Sequence, residues 1–289
     1  GVYLLGSDDV TLTDNTLSDL QGGSSVPGSN YTTSGAGGLA AGVFLSGSTG
    51  NQVSGTTLSA ITGGVAGSAS YAGERGNDQQ GFGIYLESDA LDNEIDATNT
   101  FGGDEIVYLY GASGAVVEGK TLTAAVNPTN WGKIVVFASE GVVVRNNVVS
   151  SFTGEAGQSG GNNVSAPAGQ SAAGLRVDGC TGCVVSGNEV SDIIGGLGGR
   201  AGRSGKGGVG GAAWGLRLEA APGLEVSDST VRRVTGGEGG KSAESSTTAE
   251  TGDGGAASAI SLVSSDLASV LGVDAWNVTS GAGGVERTS

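Results

Sequence analysis

Two charge pairs carry the side-chain types that could act on a ligand: Arg176 with Asp178, and Arg217 with Glu219 one repeat later. Glu87 falls on the same face by spacing. A basic group beside carboxylates is what proton abstraction next to a bound cation uses. Read blandly, the same spacing is a ladder of salt bridges between neighbouring strands. The chain has no histidine, so Ser/His/Asp and Cys/His catalysis and His-ligated metal sites are excluded. No catalytic set emerges, and an enzyme is the less favoured class. No cofactor is indicated: calcium suits an acidic surface, but no Asp-x-Asp-x-Asp-Gly loop occurs.

Aromatic residues form the second constellation. Tyr3, Phe44, Tyr85 and Tyr108 recur at one outward position, with Tyr110 and Phe137 two residues further along. Such a row is either covered by neighbouring chain or open as a platform for sugar rings or a protein. A ligand notch is expected around Tyr85, Tyr108 and Tyr110, rimmed by Asp104, Glu105, Asn130, Trp131 and Lys133. A Thr/Ser pattern (Thr16/Ser18, Thr57/Ser59, Thr98/Thr100, Thr121/Thr123) resembles a flat ice-binding face, although threonine is also simply a good strand residue. Cys180 and Cys183 read either as a core thiol and a turn thiol, or as a local disulfide in an oxidising compartment. Sequons begin at Asn30, Asn163 and Asn277.

These residues are positioned by a repeat. Val2, Val43, Ile84, Val107, Ile134, Leu175, Leu216 and Ile260 each start a copy, and a second apolar residue follows two places on, from Leu4 to Leu262. Further apolar positions recur at offsets ten (Leu12, Val53, Val117) and fifteen (Leu17, Leu58, Leu122). Alternation at a period of two predicts three short strands per copy, each with one buried face. Between the second and third strands, Asp14, Gly55, Gly119, Asn146, Gly187 and Asp228 supply the residue types that tolerate a left-handed corner. One such copy cannot bury its own apolar face; stacked copies can.

The stretch Gly174-Leu175-Arg176-Val177 through Cys183-Val184-Val185-Ser186-Gly187-Asn188-Glu189-Val190, repeated from Gly215, resembles right-handed parallel β-helix proteins of the pectate-lyase-like class. The resemblance spans the chain and implies an all-β, single-stranded solenoid of about eight coils. It implies little about activity, because that fold hosts lyases, hydrolases, tailspikes, adhesins and inert surface repeats.

Successive copies are 41, 41, 23, 27, 41, 41 and 44 residues apart, and the surplus of the long ones falls in the third turn. Five Gly-rich insertions result, near residues 22–41, 63–82, 154–173, 195–214 and 236–258, holding most of the 58 glycines. They read either as flexible linker or as extended, polyproline-like chains packed side by side. Arg200, Arg203 and Lys206 in one insertion, and Glu238, Glu244, Glu250 and Asp253 alongside Lys241 in the next, modestly favour a fixed neighbour order.

The 289 residues read as a single domain, 1–289, and as an excerpt of a longer extracellular chain. A net charge of −16 disfavours nucleic acid and anionic membranes. No apolar run is long enough for membrane insertion. The expected role is structural or adhesive, outside the cell or on its surface: a stalk, filament segment or adhesin repeat. Its partners would be copies of itself, joined end to end or laterally, or a surface glycan or protein. The alternatives are carbohydrate binding or degradation at the aromatic notch and, less favoured, ice binding.

Overall fold

The computed structural model describes residues 1–26, 34–67, 77–87, 90, 92–160, 165–201, 205–241 and 250–284. The sequons at Asn30 and Asn163, and the charges of Arg203 and Glu244, lie outside the described residues. The protein is all-β, with no helix among the described residues.

Its strands form six sheets in two stacks. In the N-terminal stack the first sheet holds Val2–Leu5, Ala40–Ser46, Gly81–Leu86 and Asn127–Thr129; the second holds Thr11–Thr13, Gln52–Ser54 and Glu94–Ile95. The third holds Thr16–Gln21, Thr57–Thr62, Thr100–Phe101 and Asp104–Glu105. The C-terminal stack repeats the plan. Val107–Tyr110, Ile134–Phe137, Ala172–Asp178, Ala213–Glu219 and Ala257–Val263 make its first sheet. Its second runs from Val116–Glu118 to Ser269–Leu271, and its third from Thr121–Leu122 to Asp274–Thr279. The chain visits first, second and third sheets in turn, and each return adds a parallel neighbour. Leu4 pairs with Leu45 and Leu45 with Leu86; Leu175 pairs with Leu216 and Leu216 with Ile260.

Inward aliphatics form the cores. Val43, Leu45, Ile84, Leu175, Val185, Val190 and Leu216 are at most 1 % exposed, and burial of each such side chain contributes roughly 1.5–3 kcal/mol. At the second corner Asp14, Gly55, Gly119, Asn146, Gly187 and Asp228 all have φ between 48° and 66°. A second left-handed column was not foreseen: Asp19, Ala60, Ser151, Asp192, Arg233 and Asn277, inside the third strands. It skips one residue in each, so that Val190 and Ile193, three apart, both point inward. Just after the second corner, inward asparagines satisfy one another. Asn188 Oδ1 accepts from Asn147 N (3.1 Å) and Nδ2 (2.9 Å), and Asn188 Nδ2 donates to Val144 O (2.9 Å).

The repeat does not run as one column. Val107–Tyr110 pairs with Ile134–Phe137, and the far neighbour of Gly81–Leu86 is Asn127–Thr129. Gly102 and Gly103, at φ 61° and 96°, reverse the chain into Asp104–Glu105, the one antiparallel pairing among the described strands. The next strand therefore starts a displaced stack. Its outward face becomes a junction: Ile106, Tyr108, Val135 and Phe137 bury against Leu86, Ala90, Ile95 and Phe101 of the N-terminal core. In the Thr/Ser pattern, Thr16, Thr57 and Thr100 pair in register, but Thr121 pairs with Val148 in the other stack.

The described Gly-rich segments are hydrogen-bonded chain to chain at every third residue. Gly154, Gly157 and Gly160 donate to Ile194, Leu197 and Arg200; Gly195, Gly198 and Ala201 donate in turn to Thr235, Glu238 and Lys241. The returning limbs do the same, from Ala166 and Gly169 to Lys206 and Val209. Between limbs, Gly211 donates to Gly196 and Gly237 to Gly211. A three-residue rhythm is that of an extended threefold chain. The N-terminal segment joins this array through side chains: Asn77, Gln79 and Gln80 donate to the carbonyls of Gly157, Ala156 and Gly154 at 2.9–3.2 Å.

Candidate functional site

An open groove of about 420 Å³ lies on the outer face where the two first sheets meet. Tyr85, Leu86 and Glu87 supply one wall, and Asn130 and Trp131 come from the short turn after Asn127–Thr129. Gln170 and Ser171 enter from a returning Gly-rich limb, while Ala172, Ala173 and Arg176 on one strand and Trp214 and Arg217 on the next form the far wall.

Each of these groups is held. Asn130 acts as a strand continuation, accepting from Leu86 N (2.9 Å) and donating to Leu86 O (2.8 Å). Trp131 meets Phe137 edge-on at 4.7 Å. The Arg176 guanidinium lies 5.2 Å from the Trp131 ring and 5.0 Å from Phe137, and Arg217 lies 4.4 Å from Trp214. Arg176 and Arg217 are register partners on adjacent strands. Burial, followed by the Arg217 charge, lowers the affinity of Arg176 for its proton, and Asp178 opposes this. The Tyr85 hydroxyl accepts from Gln170 Nε2 (2.9 Å) and donates to Glu155 Oε2 (3.3 Å). Burial and the Glu155 charge push its pKa up to about 12. Burial also raises the Glu155 carboxyl.

The expected notch is not one site. Tyr85, Asn130 and Trp131 come together, but with Arg176 and Arg217 rather than with Tyr108 and Tyr110. Tyr108 is 3 % exposed at the junction, where burial raises its pKa. Tyr108 and Tyr110 line a separate pocket with Ile106, Val117 and Lys120. Asp104, Glu105 and Lys133 do not form a rim. Lys133 is wholly buried, with Nζ 2.7 Å from Ala124 O and 3.3 Å from Asp104 Oδ2. Burial lowers its pKa against the pull of Asp104. Glu105 pairs with Lys120. The reason is the displaced second stack, which turns an outward strand face into an inward one. The Tyr3–Phe44–Tyr85 row does stack, at 4.7 and 5.0 Å between centroids.

The charge ladder is also built differently from expectation. Arg176 bonds Asp178 (3.1 Å) and Arg217 bonds Glu219 (2.9 Å), each within its own strand rather than between strands. Two residues apart on a strand share a face, so the bonds need no neighbouring strand. Cys180 and Cys183 are joined as a disulfide beneath the first turn. Trp214, Gln170 and Glu155 were missed. For Trp214 the signal misled: alternation by two from Leu218 and Leu216 puts it on the inward face, whereas Ala213 and Leu216, three apart, are both buried and Trp214 is left partly exposed. Gln170 and Glu155 sit in Gly-rich sequence and had none.

Among the described residues no cluster of three or more His, Cys, Asp or Glu is placed to hold a metal ion. No described helix is long and apolar enough to cross a membrane. Neither a protein-family model nor a curated protein sequence matches the chain.

Proposed function

We propose that the chain is a right-handed, single-stranded parallel β-helix of about eight coils, three in one stack and five in the next, with a Gly-rich layer at the third turn. It serves outside the cell as a structural or adhesive solenoid: a stalk, filament segment or adhesin repeat. The observation that carries this reading is the continuous hydrogen bonding of the Gly-rich segments to their neighbours in adjacent rungs. A rod braced that way resists bending and proteolysis, which is what a spacer or fibre requires and a catalyst does not. The Cys180–Cys183 disulfide supports an oxidising, extracellular setting. The partners are other copies of the chain or a surface glycan or protein. Electron microscopy of the native full-length protein tests the reading, with localisation by surface labelling. Rods or filaments at the cell surface are expected; a monomeric, internal protein overturns it.

A second reading, carbohydrate binding, is favoured by one specific observation: two indoles, two guanidiniums and the Asn130 and Gln170 amides converge on one open groove.

A further inference from the structure

We infer that this groove takes an uncharged pyranose chain, laid across the strands from Trp131 to Trp214. The inference rests on the carbohydrate reading and adds the ligand's charge class and direction. Direction follows from register. Trp131 packs on Phe137, Phe137 pairs with Asp178, and Asp178 pairs with Glu219 on the strand that carries Trp214. Glu219 is thus two rungs from Phe137, about 10 Å at the interstrand spacing, and Trp214 stands five residues before it on the same strand, so a sugar chain joining the two indoles crosses the rungs obliquely. Each is backed by a guanidinium, so each ring is fixed before any ligand arrives.

The charge class follows from the balance of the walls. Arg176 and Arg217 would attract an acidic polymer if they were free, but each is bonded to its own carboxylate. Glu87 adds a further negative charge to the lining, and the whole chain carries −16. An acidic polysaccharide meets no net positive field there. A neutral sugar instead meets the Gln170 amide and the Ser171 hydroxyl in a lining whose guanidiniums are already balanced.

The test is titration calorimetry of the full chain with cellohexaose, chitohexaose, mannohexaose and hexagalacturonate, at low and high salt. At least one neutral hexasaccharide is expected to bind, with affinity unchanged by salt. Trp214→Ala should weaken it at least tenfold and Trp214→Phe only a few-fold, with melting temperature monitored in both. Trp214 is half-exposed, so both variants should fold; if Trp214→Ala does not, Trp214→Phe against Gln170→Ala makes the same comparison. Binding of hexagalacturonate alone, or of both classes equally, overturns the neutral-ligand inference and leaves the carbohydrate reading standing. Binding of none overturns both. Neutral binding that Trp214→Ala leaves intact places the site elsewhere and overturns the inference.

Discussion

The aliphatic cores and the Gly-rich segments are packed in opposite ways. In the cores, backbones stand apart and side chains such as Leu175, Val190 and Leu216 fill the space between sheets. In the Gly-rich segments the backbones themselves touch. A Cβ added at Gly196 would stand 1.9 Å from Glu155 O, at Gly211 1.9 Å from Gln170 O, and at Gly237 1.9 Å from Gly196 O. One region is specified by the side chains that are present and the other by their absence. Glycine loses the most conformational freedom on ordering, so the second region holds only if its amides find partners, which the bonds at every third residue supply.

That contrast breaks most readily at the glycines. Gly196→Val should cost about 4 kcal/mol, because every atom near the new Cβ is backbone and none can rotate away. The check is the urea unfolding midpoint, with Gly182→Ala as the control. Gly182 has φ 62° and open space around it, so only left-handed strain of about 1 kcal/mol is expected. If the two variants behave alike, the Gly-rich segments are not packed as described. Leu216→Ala tests the other side of the comparison. Removing a wholly buried side chain should cost about 3 kcal/mol. Three carbons gained in one region and three lost in the other would then be similarly damaging.

The core was the legible half. Apolar residues at a period of two fix which side chains face in, and the register of Leu4, Leu45 and Leu86 follows directly, but Leu109, which the same pattern puts next in that row, pairs with Val136 in the other stack. The corner residues were legible as well, because few residue types tolerate a left-handed φ. The displacement between stacks was harder to see, though a trace existed. Ile134-Val135-Val136-Phe137 is apolar at every position, the mark of a strand buried on both faces, whereas Leu175-Arg176-Val177-Asp178 alternates. The groove was half legible. Arg176 and Tyr85 announced themselves, but their meeting depends on Gly102 and Gly103 reversing the chain, and on a Gly-rich limb whose path no periodicity encodes.

Asn188 tests the boundary between the two modes of packing, since it fills core space but works through hydrogen bonds. Replacing it with alanine leaves Asn147 N, Asn147 Nδ2 and Val144 O without the bonds they now make to it. A loss of about 2 kcal/mol is expected, with faster amide exchange at Asn147. A variant as stable as the parent would show that the asparagine column is incidental to the stack.

The smallest effect belongs to Glu155, where a Gly-rich segment meets a sheet through Tyr85. Burial raises its carboxyl above the ordinary value of 4.5, so the folded protein holds that proton more tightly than the unfolded chain does. The contribution to stability is therefore complete below about pH 4.5 and is lost as pH rises through the folded-state value. Glu155→Gln removes the ionisation and keeps an acceptor for the Tyr85 hydroxyl. It should raise the melting temperature modestly at neutral pH, and the gain should vanish at acidic pH. A gain independent of pH would mean that the carboxylate is not desolvated. The Gly-rich segment would then rest on the sheet more loosely than the backbone contacts within it imply.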